Sequence, residues 1–418
     1  MIEFGLARIT RLLRHTPIKW APIHVAGTNG KGSVCAYASA MLHANRIRCG
    51  RFTSPHLINR WDCVTIEERS VSSDLFQEVE AGIKADNALE GINATEFEVL
   101  TATAFQIFHR LQVEVGVIEV GMGGTHDATN VIQHPAVTVI TKIALDHETY
   151  LGSSMEDIAS HKAGIIKPHG PCLVDGTNTQ SVIEVLKETA KDRGASLLQL
   201  VPQDLPLQEY EPEKESFWPA LAPHQQMNIL LALNAVEIIL CGMGRSIPRR
   251  KLIAAARAAF WPGRLQEISL EGITHPGCDA LLDGAHNPSA AEVLGKYVDE
   301  RLRPLSPSVM WVIGMSSEKD ARQILSYLLK DGDGMVAVDF GEVKGMPWVK
   351  PMDPAAIIAA AKSIFQLDQC ESMSHNIRGA LQEAVRIGGQ RSIVITGSLY
   401  LVSDILRLKQ LLGEHKPL

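Results

Sequence analysis

The chain has 418 residues and a formal net charge of −7, with 45% hydrophobic and 21% charged residues. This length exceeds the size at which one hydrophobic core keeps growing, so we expect two domains of unequal size. The acidic balance argues against broad nucleic-acid binding, which needs clustered Lys and Arg to displace phosphate counterions.

The N-terminal twenty residues, MIEFGLARITRLLRHTPIKW, carry four basic side chains and one acid. A mitochondrial presequence has this charge, but the stretch lacks the usual serines, and its apolar spacing indicates the first helix of a domain. The seven cysteines are scattered and show no CxxC spacing, as in a cytosolic enzyme with reduced thiols. No apolar run approaches the ~20 residues of a membrane span. We therefore expect a cytoplasmic monomer without a membrane contact, with mitochondrial targeting as the alternative.

In the first part of the chain, apolar runs rich in β-branched residues alternate with helical patterns. The predicted strands are PIHVAG, VEVGVIEVG and AVTVITKIAL. The predicted helices are VCAYASAMLHA, EFEVLTATAFQIFHRL and HQQMNILLALNAVEIIL. This alternation predicts an α/β fold built from βαβ units, with a parallel sheet covered on both faces.

The acidic, proline-bearing stretch DLPLQEYEPEKESFWP interrupts this pattern and predicts an irregular surface excursion. After Arg264 the alternation restarts, with strand candidates DALLDGAHNP, VMWVIGM, GMVAVDF and RSIVITGS. Helical patterns such as SAAEVLGKYVDERL and PAAIIAAAKSIF separate them. We predict a first domain over residues 1–267 and a second, smaller α/β domain over residues 268–418.

A glycine-rich loop, HVAGTNGKGS from His24 to Ser33, follows the first predicted strand and opens a helix. Its glycines let the backbone turn tightly and direct N–H groups at an anion. Lys31 would neutralise phosphate charge, and the Ser33 hydroxyl would bind Mg²⁺. The spacing departs from the standard Walker pattern, because Val25 replaces its first glycine and Gly32 separates the lysine from the serine. An ordinary glycine turn does not explain the lysine, the serine and the context together, so we predict a phosphate site.

Two further side chains are predicted at the same sheet edge. Glu119 is a lone carboxylate inside an apolar strand, and burying its charge is costly unless a cation or donor meets it. Either backbone N–H groups satisfy it, or it binds Mg²⁺ at the carboxyl end of the strand, where α/β sheets place their ligands. His147 follows the next strand and is either a structural histidine or a second metal ligand.

The wording GTNGKGS resembles the compact P-loop of the Mur ligase superfamily, specifically the dihydrofolate synthase and folylpolyglutamate synthase family. The resemblance implies a Mur ligase-like ATPase domain followed by a Rossmann-like glutamate-ligase domain. It also implies ATP as co-substrate, Mg²⁺ as cofactor, and small-molecule partners. The length and the wording SPHLINRWDCVTI look closest to fungal, monofunctional dihydrofolate synthases.

The resemblance also assigns the nucleotide and metal residues. In the P-loop, the ATP contacts are Asn29, Gly30, Lys31 and Gly32; in HQQMN, WPGR and DGAHNP they are Asn228, Arg264 and Asp283. The implied metal set is Ser33, Ser54, Glu119 and His147. Lys162 matches a lysine that the family carries in carbamylated form, and His286 would lie near the transferred phosphate or the incoming amine. Lys31, Lys162 and His286 are the implied catalytic residues.

For a pterin-bearing acceptor the resemblance points to three stretches. Their implied contacts are Gly5 and Leu6 in FGLA, Thr95 and Phe97 in TEFE, and Asp127 and Ala128 in HDA. Asp127 would hydrogen-bond the donor-rich pterin ring, and Phe97 would stack on it. Without the family, Phe97 reads equally well as helix core and Asp127 as a loop cap.

The implied reaction is ligation of L-glutamate to the carboxylate of 7,8-dihydropteroate through an acyl phosphate, giving dihydrofolate, ADP and phosphate. The main alternative is a folylpolyglutamate synthase that adds glutamates to tetrahydrofolate. A peptidoglycan Mur ligase is less favoured, since no UDP-binding domain precedes the P-loop. A P-loop ATPase or a non-catalytic nucleotide-binding protein would leave Lys162, Arg264 and DGAHNP as coincidences.

Overall fold

The structure is a computed structural model that describes residues 5–202, 221–275, 277–343 and 345–413. The chain divides into two compact units, Met1–Phe260 and Trp261–Leu418. This division falls shortly before the boundary predicted at residues 267 and 268. The difference has a simple cause, because the strand Gln266–Ser269 pairs with Asp279–Leu282 and so belongs to the second sheet.

The first unit contains an eight-stranded sheet, with the strand order β4-β3-β2-β5-β1-β6-β7-β8. The strands are β1 Ala21–Ala26, β2 Cys49–Phe52, β3 Val64–Ile66, β4 Arg69–Ser70, β5 Val115–Glu119, β6 Val137–Ile140, β7 Pro171–Asp175 and β8 Leu197–Val201. The pairs β2-β5, β5-β1, β1-β6, β6-β7 and β7-β8 are parallel, whereas β3 is antiparallel to both of its neighbours, β2 and β4. The central strands β5, β1 and β6 therefore end side by side at one edge.

Helices cover both faces of this sheet, as a parallel sheet requires. They are α1 Ala7–Leu12, α2 Lys31–Ala44, α3 Ser73–Leu89, α4 Glu96–Arg110, α5 Glu148–Leu151, α6 Met155–Ala163, α7 Gln180–Asp192, α8 Pro223–Gly242 and α9 Arg249–Ala258. On one face α2, α8 and α9 bury a continuous apolar core against β1, β5 and β6. On the other face two separate apolar clusters form, one under α1, α3 and α4 and one under α6 and α7.

The second unit contains a six-stranded sheet in the order β13-β12-β11-β14-β10-β9. Its strands are β9 Gln266–Ser269, β10 Asp279–Leu282, β11 Met310–Ile313, β12 Gly334–Val338, β13 Cys370–Met373 and β14 Ile393–Thr396. Its helices are α10 Pro288–Arg301, α11 Ala321–Leu328, α12 Pro354–Lys362, α13 Ile377–Gly388 and α14 Leu399–Leu411. Only β9 is antiparallel to its neighbour.

The α/β class with two mainly parallel sheets is confirmed, and each named strand and helix pattern corresponds to an observed element. One helix of the described residues, α8, is long and apolar enough to cross a membrane by length and composition, which is weak evidence because a buried core helix meets the same criteria. Most of α8 is buried against α2 in the first core, which explains its apolar composition without a bilayer. The predicted excursion DLPLQEYEPEKESFWP lies outside the described residues.

A buried carboxylate organises the second unit. Asp333, which is fully buried, accepts hydrogen bonds from both terminal nitrogens of Arg303 at 2.8 and 2.7 Å. It also accepts from the indole nitrogen of Trp311 at 3.0 Å and from the backbone of Val309 and Lys330. The hydrogen bonds from these donors offset the cost of burying the Asp333 charge. They also link β11 to the turn before β12.

We expect Asp333→Ala to lower the free energy of unfolding by roughly 3–5 kcal/mol, since it leaves the Arg303 cation buried without its partner. The matched control is Asp299→Ala, because Asp299 contacts the same guanidinium at 2.9 Å from a half-exposed position. Its loss should cost less than about 1 kcal/mol. Urea unfolding followed by tryptophan fluorescence measures both, and equal losses would contradict the assignment.

Candidate active site

The P-loop is held against the loop that follows β6. The backbone nitrogens of Thr28 and Asn29 both donate to the carbonyl of Lys142, at 2.8 and 3.1 Å. The Thr28 hydroxyl donates to the carbonyl of Ala144 at 2.9 Å and accepts from its backbone nitrogen at 3.0 Å. Two loop N–H groups are therefore used internally. The anion-binding capacity lies in the first turn of α2, where backbone N–H groups have no intrahelical partner.

Two glycines allow this close approach. Gly27 has a φ of +150°, and a Cβ there would lie 1.8 Å from the Thr141 hydroxyl. Gly30 has a φ of +94°, and a Cβ there would lie 2.4 Å from the side-chain oxygen of Asn228. The structure thus brings Asn228, on α8, into contact with the predicted nucleotide loop. Lys31 begins α2 and donates to the carbonyl of Thr28 at 3.2 Å.

Lys162 is a buried lysine beside the P-loop. It lies in the last turn of α6, and its ammonium donates to the carbonyl of Gly27 at 2.7 Å. Burial, helped by the charge of Lys31, lowers the pKa of Lys162 to about 7, while Asp146 and Asp127 act in the opposite direction. The lowered pKa makes the unprotonated amine accessible near neutral pH. Sequence spacing alone favours a surface position for Lys162, whereas the structure buries it.

The predicted metal residues occupy the carboxyl edge of the same sheet. Glu119 ends β5 and is buried, and its carboxylate accepts a hydrogen bond from the backbone nitrogen of Ser54 at 3.1 Å. Ser33 lies in the first turn of α2, which follows β1. His147 begins α5 after β6 and is half-exposed, with Nε2 4.0 Å from Asp146. Neighbouring strands therefore deliver all four residues to one edge.

These residues fit a hydrated magnesium ion better than an all-protein cage. Within the described ranges, no three His, Cys, Asp or Glu side chains converge as a metal set. Mg²⁺ usually takes one or two carboxylates and completes its octahedron with water and phosphate oxygens. A single buried carboxylate at a P-loop, with serine hydroxyls on adjacent elements, matches that requirement.

A second group of residues forms a face with an aromatic ring and a carboxylate. The Phe97 ring lies over Gly121, where a Cβ would meet its Cζ at 2.5 Å. Asp127, which is buried, accepts from the backbone nitrogen of Met122 at 3.0 Å in the same glycine-rich loop. Ala128 is buried beside it in a 3₁₀ turn over Ala128–Val131. The loop 121–127 thus joins the ring and the carboxylate that were predicted to contact a pterin.

The start of α4 is tied to the first helix. Thr95 caps α4, and Glu98 reaches back to the Thr95 backbone nitrogen at 2.8 Å in a capping box. Arg8 of α1 donates to both carboxylate oxygens of Glu98, at 3.2 and 2.9 Å. Leu6 caps the N-terminus of α1 and, like Phe97, packs against the core under α1, α3 and α4. Gly5 precedes it with a φ of +130°.

In the second unit the sequence predicted a nucleotide or amine contact for Arg264, Asp283 and His286, and these three residues lie together near the end of β10. Asp283 is buried and accepts from the backbone nitrogens of Leu265 and Ala285, at 2.8 and 2.9 Å. Burial raises the pKa of Asp283, and the charge of Arg264 opposes this. The Arg264 guanidinium lies over Gly284, where a Cβ would meet it at 2.7 Å. His286 Nδ1 donates to the Gly284 carbonyl at 2.8 Å, which places the lone pair of the neutral ring on Nε2.

Comparisons with known proteins identify the family of the chain. A family model described as the Mur ligase middle domain matches residues 25–236, and one described as the dihydrofolate synthetase C-terminal domain matches residues 266–408. A probable dihydrofolate synthetase of Schizosaccharomyces pombe is 35% identical over 98% of this chain and 99% of its own length. The chain belongs to the dihydrofolate synthase and folylpolyglutamate synthase family.

Two further relatives place the chain within this family. The dihydrofolate synthetase of Saccharomyces cerevisiae is 34% identical over 97% of this chain and 98% of its own length. The Mycobacterium tuberculosis folylpolyglutamate synthase, solved with ADP and AMPPCP, superimposes with a TM-score of 0.81 at 27% identity. That match covers 99% of this chain and 96% of the other. The two-domain ligase fold is therefore shared along the whole length.

Sequence reasoning missed several residues that shape this family's site here. Thr28 and Thr141 hold the P-loop, and Arg8 with Glu98 holds the start of α4. The capping pattern Thr95-x-x-Glu98 was a readable signal for the second pair. No sequence signal identified the threonines, because their partners lie on other elements.

We expect Gly30→Ala to weaken ATP binding by about tenfold or more, because the positive φ alone costs a non-glycine residue about 1–2 kcal/mol and about 1.4 kcal/mol is tenfold. The new methyl group would also displace Asn228. Gly82→Ala is the control, since that glycine lies within α3 and a Cβ there meets nothing within 4 Å. Isothermal titration with a non-hydrolysable ATP analogue measures both. Unchanged affinity in Gly30→Ala would exclude the loop as the nucleotide site.

Proposed function

We propose that this protein ligates L-glutamate to the carboxylate of 7,8-dihydropteroate, using ATP and forming dihydrofolate, ADP and phosphate. The observation that carries the proposal is the connection between the P-loop and the Phe97–Asp127 face. Lys162 hydrogen-bonds the P-loop at Gly27, and the charge of Asp127 acts on the same ammonium. One buried lysine therefore contacts the P-loop and interacts electrostatically with the carboxylate assigned to the acceptor.

The acceptor ring is assigned to the Phe97–Asp127 face. A pteridine presents ring N–H and amino donors, and the Asp127 carboxylate is a hydrogen-bond acceptor. The Phe97 ring offers a flat apolar surface for stacking. Thr95 and Ala128 flank these two residues, and Gly5 with Leu6 contribute from the start of α1. Residues 1–4, which include Phe4 of the FGLA motif, lie outside the described residues.

A carboxylate is a poor acyl donor because its oxygen is a poor leaving group, so it must be activated before the amine attacks. Transfer of the γ-phosphoryl group of ATP to the acceptor carboxylate gives an acyl phosphate, whose phosphate leaves when the glutamate amine attacks. Asn29, Gly30, Lys31, Gly32 and Asn228 are assigned to ATP, with Lys31 compensating phosphate charge. A magnesium ion held by Ser33, Ser54, Glu119 and His147 would stabilise the negative charge of the transferred group.

We assign ATP and the incoming amine to the cluster at the end of β10. Arg264 suits phosphate oxygens because its planar cation can donate two parallel hydrogen bonds. Asp283 would contact the nucleotide. The lone pair on His286 Nε2 can accept a proton from the glutamate ammonium, which must become a neutral amine before it attacks.

The direct test incubates the protein with ATP, Mg²⁺ and labelled glutamate, and offers dihydropteroate or tetrahydrofolate separately. We expect glutamate to be incorporated into dihydropteroate with an equal amount of ADP released. Lys31→Met should reduce turnover by at least about a hundredfold, since it removes charge stabilisation from phosphoryl transfer. Preference for tetrahydrofolate would indicate a folylpolyglutamate synthase. ADP release without incorporation would indicate a P-loop ATPase.

We further propose that Lys162 is carbamylated, since its neutral amine can add to CO₂ and release one proton. The modification would turn a buried cation into an anion beside the P-loop. Its support is the buried position of Lys162 against Gly27 and a pKa of about 7. In ¹³C-bicarbonate, NMR should show a carbamate carbonyl signal that grows as the pH rises through about 7, because only the unprotonated amine reacts.

The control for this experiment is Lys167, another buried lysine, whose pKa burial lowers to about 8. Its ammonium donates to the Asn130 carbonyl at 3.3 Å, away from the P-loop. The carbamate signal should disappear in Lys162→Gln and remain in Lys167→Gln. A signal that persists in Lys162→Gln contradicts the proposal.

We propose a cytoplasmic monomer as the working form, and gel filtration with light scattering would check its oligomeric state.

A further inference from the structure

A line of buried polar side chains runs from β1 to the loop that carries Asp127. His24, on β1, and Thr129, in the 3₁₀ turn, are fully buried, and Asp127 is nearly so. His24 Nε2 lies 2.8 Å from the Thr129 hydroxyl, which in turn lies 2.5 Å from Asp127 Oδ1. Three side chains thus form one chain of hydrogen bonds from the strand before the P-loop to the acceptor face.

The direction of these bonds follows from their chemistry. A hydroxyl group has one proton, and an ionised carboxylate can only accept. The short contact between Thr129 and Asp127 has the length of a charge-assisted O–H···O⁻ bond. Thr129 therefore donates to Asp127 and must accept from His24, so the imidazole carries its proton on Nε2.

The surroundings keep His24 neutral. Burial, together with the charge of Lys167, lowers the pKa of His24 to about 3. Lys167 acts electrostatically on His24, and Asp127 interacts electrostatically with Lys162. Burial raises the pKa of Asp127, and hydrogen bonds from Thr129 and the Met122 backbone oppose that rise.

A purely structural role explains this chain poorly. The backbone nitrogen of Thr129 already donates to Asp127 Oδ1 at 3.0 Å and closes the turn without help from the hydroxyl. The Nδ1 atom of His24 has no hydrogen-bond partner among the described residues, although it is buried. An unpaired buried nitrogen costs free energy that an aliphatic side chain at this position would avoid.

We propose that His24 is a positioning residue that acts through the Thr129 hydroxyl to orient the Asp127 carboxylate as the acceptor for the pteridine ring. This inference rests on the proposed function, in which Asp127 contacts the acceptor. Oδ1 is occupied by both donors of Thr129, and Oδ2 is oriented by the Met122 nitrogen. The carboxylate is therefore fixed before the acceptor binds, which reduces the ordering that binding requires.

The test compares Thr129→Val, which removes the hydroxyl, with Thr129→Ser, which keeps it, and His24→Leu with His24→Gln, which keeps a donor. Loss of a hydrogen bond to a charged group predicts an increase of about tenfold in KM for dihydropteroate. This increase should appear in Thr129→Val and His24→Leu, while KM for ATP and for glutamate stays within about twofold. Thr129→Ser should behave as the unmodified protein.

Equal changes in all three KM values, or no rescue by Thr129→Ser, would overturn the inference. Asp127→Asn separates it from the proposed function. If Asp127→Asn leaves KM for dihydropteroate unchanged, Asp127 does not contact the acceptor and the premise fails. If Asp127→Asn raises that KM and Thr129→Val does not, only the role of His24 and Thr129 fails.

A measurement on the unmodified protein decides the matter even if a variant does not fold. In ¹⁵N-histidine-labelled protein, one neutral ring should carry its proton on Nε2 and should not titrate between pH 5 and 8. A ring at this position that carries its proton on Nδ1, or that titrates in this range, would reverse the hydrogen-bond direction and exclude the proposal.

Discussion

The active-site edge of the first unit depends on a contact that only glycine permits. Gly27 and Gly30 let the P-loop backbone lie directly against Thr141 and Asn228, so a methyl group at either position would overlap a neighbouring side chain. Because Thr28 then bonds to Ala144, the loop after β6 takes its position from the same contact. The P-loop therefore packs closely against both the loop after β6 and helix α8.

The two faces of the first sheet differ in how their buried side chains are arranged. One face is a continuous apolar core, which gives the P-loop helix α2 a rigid support. The other carries two separate apolar clusters, and the buried polar side chains of the same unit include His24, Thr129, Asp127 and Lys162. Buried polar groups stabilise less than apolar packing and require complete hydrogen bonding. Under the proposed function Asp127 contacts the acceptor, so these polar residues would be retained for binding and not for core stability.

The sequence predicted the architecture well because buried parallel strands and amphipathic helices have a clear periodicity. It also placed Glu119 and Asp283 at strand ends, which follows from topology alone. The burial of Lys162 could not be derived from spacing, since a lysine near a helix end usually reaches solvent. The role of Thr141 depends on a neighbouring strand, and helix α8 shows that an apolar run long enough for a bilayer can be buried in a protein core.

The ion pair between Arg8 and Glu98 has a consequence for the start of the chain. Arg8 is one of the basic residues that gave the N-terminus its resemblance to a targeting leader, yet the fold uses it to brace the cap of α4. Proteolytic trimming past this point would leave Glu98 without its cation and would loosen the end of α4 that carries Phe97. The first helix is therefore tied into the packed first unit, and its removal would loosen the start of α4 before it disturbed the P-loop.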